Sequence, residues 1–106
     1  MNERIIDYLE VLKCGNSVSV ETYLSNDDKQ AILSWYRKYI HVHDNIDFEK
    51  VIDLLYVLYV RENLEFYPVN EFQQLILSLA QTHGFDKNDF WSLYSDFRIL
   101  VFGDNV

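Results

Sequence analysis

Apolar residues recur at helical spacing along most of the chain. Ile5, Ile6, Leu9 and Leu12 share one face while Glu3, Asp7 and Glu10 share another, which predicts a helix over residues 2–14. Gly15 is its expected stop, because glycine adopts the left-handed conformation that closes a helix. Residues 17–24 carry two signals. Ser17-Val18-Ser19-Val20 alternates like a short strand, whereas Ser19 ahead of Val-Glu-Thr-Tyr-Leu can cap one helical turn, and a short helix is the expectation. Ser25 followed by Asn26, Asp27 and Asp28 offers a cap and an acidic first turn for a helix carrying Ile32, Leu33, Tyr36, Tyr39 and Ile40. Arg37, Lys38 and His41 fall in its last turns, where cations are favoured.

Asp47 is a plausible cap for residues 48–63. Val51, Ile52, Leu54, Leu55, Val57, Leu58 and Val60 cover most of that segment's circumference, as in a helix at the centre of a domain. Val and Tyr also favour strands, but sixteen residues without a turn signal is long for one. Pro68 suits a helix start, with Asn70-Glu71-Phe72-Gln73 as a capping box and Phe72, Leu75, Ile76, Leu79 and Ala80 as the apolar stripe. Gly84 ends this helix, with Phe85 placed for the contact that accompanies a glycine stop. Asp86-Lys87-Asn88-Asp89 opens the last helix, striped by Phe90, Leu93, Tyr94, Phe97, Leu100 and Val101 and ended by Gly103. Trp35 and Trp91 both lie among apolar neighbours and are expected to be at least partly buried. The reading is a single all-α domain over residues 1–106, an irregular bundle of four long helices plus one short helix. Short connections should make most sequence neighbours pack antiparallel.

Composition agrees. The 106 residues are 49% hydrophobic and 16% aromatic, enough to bury a core and too apolar for a disordered chain. Three glycines and one proline are too few for a turn-rich β-sandwich or barrel. A lone cysteine, Cys14, excludes an internal disulfide framework and suits a reducing compartment. The N-terminus has no apolar stretch of signal-peptide length, and residues 51–60 are too few to span a bilayer, so a cytoplasmic protein is expected. Nine basic against seventeen acidic residues give a net charge of -8. That charge disfavours nucleic acid and anionic membranes as partners.

Chemistry is sparse. His41, His43 and Asp44 form the one cluster of ligand types, with His83 the remaining imidazole. No cysteine pair supplies the fourth ligand that structural zinc requires, so no metal and no cofactor are expected. No nucleophile elbow, phosphate-cradling glycine loop or dinucleotide fingerprint occurs, and Cys14 has only Lys13 as a basic neighbour. An enzyme is therefore the least expected class.

The eight tyrosines carry more information, since Tyr tolerates both burial and water and is enriched at interfaces. Projected at 100° per residue, Glu49, Asp53, Tyr56 and Val60 fall on one narrow arc of the 48–63 helix. That arc is the candidate partner surface; its competing reading is burial of Tyr56 and Val60 under another helix. Glu3, Asp7 and Glu10 make a second acidic stripe, for which solvation alone is an adequate account.

In size, acidity, aromatic content and helicity the whole chain resembles the small all-helical immunity proteins that neutralise bacterial toxins, such as colicins and contact-dependent inhibition nucleases. The resemblance implies a binding protein that occludes a basic toxin domain, of the nuclease type, through an acidic, tyrosine-containing surface. No motif transfers from it to a particular residue. Two alternatives stand beside it. A phage-encoded inhibitor mimicking nucleic acid would space carboxylates like phosphates. A helical regulatory or adaptor domain would expose an apolar patch. The sequence sets no oligomeric state.

Overall fold

Local chemistry sets most of the helix boundaries. The computed structural model describes residues 2–16, 19–41, 46–62 and 68–103. Helix α1 spans Glu3–Lys13, and the Asn2 side chain caps it by accepting from the Ile5 amide at 3.2 Å. Gly15 follows with φ of 80°. Helix α2 is one turn, Val20–Tyr23, and the Ser19 hydroxyl donates to Glu21 at 2.6 Å instead of capping it. Helix α3, Asn26–Tyr39, opens on a full capping box. Ser25 Oγ accepts from the Asp28 amide at 3.2 Å, and the Asp28 carboxylate accepts from the Ser25 amide at 3.0 Å. Asp47 starts helix α4, Phe48–Glu62, by accepting from the Glu49 amide at 3.1 Å. Helix α5 is Val69–His83, closed by Gly84 at φ 84° with Phe85 buried behind it. A 3-10 turn, Lys87–Asp89, leads into helix α6, Phe90–Phe102.

The all-α expectation holds, and among the described residues no strand forms; residues 51–60 are helical throughout. Four details differ. Each of the five apolar stripes folds as its own helix of 11 to 15 residues, so the bundle has five long helices among the described residues, not four. Asn70 is inside α5 instead of capping it, because Pro68 takes the cap position with its ring-fixed φ of −58° and starts the helix two residues earlier. His41 lies beyond α3, since buried Ile40 turns extended and draws the chain back to the core. Trp91 is 64% exposed, whereas Trp35 is buried.

Helix α4 is central as its pattern predicts. It buries Val51, Ile52, Leu54, Leu55, Leu58 and Tyr59 and packs on α1, α3 and α6. Sequence neighbours supply part of the packing, as α1 with α2 and α3 with α4. The most extensive pairing joins α3 to α6, and α5 rests chiefly against the 3-10 turn with only Leu79 and His83 buried. Polar ties cross the core boundary. Trp35 Nε1 donates to the Leu93 carbonyl at 3.0 Å, Lys38 pairs with Asp96 at 2.7 Å, and the Tyr39 hydroxyl donates to the same carboxylate. No helix among the described residues is long and apolar enough to cross a membrane.

Candidate functional site

The start of α4 fixes the site. Phe48 and Ile52 lie one turn apart on one side of this helix, and Glu49 and Asp53 follow on the adjacent side. Because α4 packs on α1, and α2 packs on α1, these side chains meet Tyr8 and Leu12 of α1 and Val20 of α2. The seven residues line an open groove of about 270 Å³. Its floor is apolar: Ile52 and Tyr8 are buried, while Leu12, Val20 and Phe48 are half-buried against the core. Its rim is acidic. Glu49 and Asp53 are both exposed, and neither enters an ion pair among the described residues.

Tyr8 is the unusual member. Its residue exposure is 5%, its ring leans on Tyr23 at 6.0 Å, and its hydroxyl has no hydrogen-bond partner among the described residues. Burial raises its pKa, and the negative charges of Glu49 and Glu21 raise it further. The phenol is therefore neutral and sits in a negative field. Glu21 is itself held ionised, with a pKa of about 2, by the Ser19 hydroxyl, its own backbone amide and Lys29 at 3.1 Å. Among the described residues, the groove lining contains two carboxylates and a phenol and lacks histidine, cysteine, serine and lysine. Such a set is chemically suited to a cation that also carries apolar surface.

The four predicted surface residues divide. Glu49 and Asp53 line the groove; Tyr56 and Val60 continue the same arc toward the end of α4, half-buried and outside it. Tyr56 packs on the core edge, so the burial reading holds for it in part. In the second acidic stripe Glu3 and Asp7 are exposed, but Glu10 accepts a hydrogen bond from the Tyr59 hydroxyl and so ties α1 to α4. Tyr8, Leu12, Val20, Phe48 and Ile52 were missed as site residues. Their apolar spacing marks them only as core, and the pairing that brings them together is non-local.

Of the ligand-type residues, His41 is exposed, and His43 and Asp44 lie outside the described residues. His83 is buried against the Tyr36 hydroxyl, with Nδ1 3.0 Å from it. Burial lowers the His83 pKa, Lys50 lowers it further and Asp53 opposes them, so the ring is neutral. No group of three or more potential metal ligands gathers among the described residues. Cys14 is exposed at the end of α1.

A second surface is apolar. Val69, Phe72, Gln73, Ile76 and Trp91 line a shallow depression between α5 and the start of α6, with Val69 70% exposed. No family model matches the chain, and neither curated proteins nor solved structures give a match.

Proposed function

We propose that this protein is a non-enzymatic inhibitor of the immunity type, which binds a basic bacterial toxin domain of the nuclease class and covers its substrate cleft. The observation that carries the reading is the groove between α1, α2 and α4, where two exposed carboxylates without ion-pair partners border an apolar floor. A net charge of -8 adds a field that speeds encounter with a basic partner and sets its orientation. On this reading Glu49 and Asp53 occupy the positions of substrate phosphates, and Tyr56 and Val60 extend the contact along α4. Mixing carboxylates with an apolar floor suits a protein partner better than mimicry of a phosphate backbone.

The test is binding to the product of the neighbouring gene, at low and physiological salt. Association should slow as salt rises, because screening acts over about 8–10 Å. Asp53→Lys should weaken the complex by about 2–5 kcal/mol if its carboxylate pairs with a desolvated cation. Tyr56→Ala should raise the off-rate. Binding indifferent to both salt and charge reversal would refute the mechanism, and failure to protect cells from the toxin would refute the role. The exposed face of Val69 and Trp91 favours a second reading, a helical adaptor that docks through apolar surface. Under it, Trp91→Ser abolishes partner binding and Asp53→Lys leaves it intact.

A further inference from the structure

We infer that the groove between α1, α2 and α4 receives one arginine side chain of the protein partner, its aliphatic stem on the apolar floor and its guanidinium between Glu49, Asp53 and the Tyr8 hydroxyl. This deepens the reading above and rests on it for the partner. Three observations carry it. The first is Tyr8. Tyr8 lines the groove at 5% residue exposure, and its hydroxyl has no hydrogen-bond partner among the described residues. The oxygen is not shut off from solvent, so a ligand donor can displace water from it. The second is charge. Glu49 and Asp53 are four residues apart on one helix face, so their β-carbons are about 5–6 Å apart. Glu21 adds to the negative field at the Tyr8 hydroxyl. Anions are excluded, and a neutral ligand leaves both carboxylates unpaired. The third is size. A groove of about 270 Å³ falls just under the roughly 300–1,000 Å³ of sites for whole small molecules, which suits a single side chain.

The choice of arginine follows from acceptor geometry. Two carboxylates and a hydroxyl present acceptors at three separate points. A guanidinium carries five N–H donors in a rigid plane and reaches several acceptors at once. Its weak hydration makes it the easier cation to bring against Leu12, Val20 and Phe48. Lysine places one compact, strongly hydrated ammonium, which satisfies one carboxylate and leaves the other in water.

The probe is Nα-acetyl-arginine amide, titrated into the isotopically labelled chain and followed by NMR, with the lysine and norleucine counterparts alongside. Saturable millimolar shifts are expected at Tyr8, Leu12, Val20, Phe48, Glu49, Ile52 and Asp53. Arginine should bind at least about fivefold more tightly than lysine, and norleucine should not saturate. Glu49→Gln and Asp53→Asn should each weaken arginine roughly tenfold, as expected for a charge-assisted hydrogen bond. Tyr8→Phe keeps the buried ring and should weaken it about threefold or more. Lysine or norleucine matching arginine, shifts centred elsewhere, or indifference to all three substitutions would overturn the inference. The probe needs no toxin, so the two proposals fail separately. Arginine binding in a protein that protects against no toxin sinks the immunity reading alone. Toxin binding with a groove blind to arginine sinks this one alone.

Discussion

Asp28→Asn should cost more stability than any other single polar change of similar size in this protein. The carboxylate has 4% side-chain exposure and four donors. Arg4 Nε reaches Oδ2 at 2.8 Å and Arg4 Nη2 reaches Oδ1 at 3.1 Å. Asn2 Nδ2 adds a bond at 3.2 Å and the Ser25 amide one at 3.0 Å. Asn2 also caps α1 and donates its own amide to the Val101 carbonyl at 2.9 Å, so the cluster ties α1 and α3 to the end of α6. Asparagine keeps the shape but turns one oxygen into a donor. Whichever way the amide sits, two accepted hydrogen bonds are lost, one of them from Arg4. Hydrogen bonds to charged groups contribute roughly 1.5–3 kcal/mol each. Arg4 is 63% exposed and regains water on release, which discounts its share. The net loss is then about 2–3 kcal/mol, or about 10–15 °C in Tm for a domain of this size.

Thermal and urea melts followed by circular dichroism at 222 nm measure that loss directly. The acid limb supplies a second readout. Arg4, with help from Ser25 and Asn2, holds the Asp28 carboxyl far below the usual carboxylate range. Below pH about 4 the unfolded chain therefore binds a proton that the folded chain refuses, and stability falls as the pH drops. Asp28→Asn should flatten this limb. A loss under about 0.5 kcal/mol with an unchanged acid limb would refute the argument, because that is the range of an ordinary surface substitution.

Three further outcomes are expected. Stability should also decline as pH falls below about 6.5, the ordinary histidine value, because buried neutral His83 resists a proton that the unfolded chain accepts; His83→Gln should remove this dependence from urea midpoints at pH 5 and 7.5. Trp35→Phe should cost about 1–3 kcal/mol through the lost bond to the Leu93 carbonyl and the void left behind, read by urea denaturation. Trp91→Phe should change stability by less than about 0.5 kcal/mol, and the protein it leaves, with Trp35 alone, should fluoresce to the blue and resist iodide quenching.

Signals that act within one turn were legible in the sequence. Ser25 and Asp28 close a reciprocal box because both groups lie within three residues, and Gly15, Gly84 and Gly103 end helices because each can take positive φ. What depends on a distant partner was not. Asp28 reads as one more acid favouring a helix start, and its burial requires Arg4, which lies 24 residues earlier. Trp91 is a different case. On a 100° wheel it stands about 100° from Phe90, while Phe97 and Val101 return to within about 20° of that residue. Apolar neighbours hid the offset, because α6 carries apolar residues on most of its circumference.

The acidic residues do not all serve the same end. Seventeen acidic residues suggest a uniform negative surface, but the fold employs several of them internally. Asp28 holds Arg4, Asp96 holds Lys38 and Tyr39, Glu62 holds Tyr94 and Arg98, Glu10 holds Tyr59, and Glu21 holds Lys29. Carboxylates already paired add little at short range to the recognition of a new cation. Glu49 and Asp53 differ because the α4 face that bears them meets α1 and α2 through Ile52, Phe48 and Tyr8, none of which offers a positive charge. On the proposed reading the net charge favours a basic partner, and the groove is a place where unpaired carboxylates border apolar surface. The first quantity is additive over the sequence. The second exists only once α1 has found α4, which is why two of the four predicted surface residues reached the groove and its unpartnered phenol went unread.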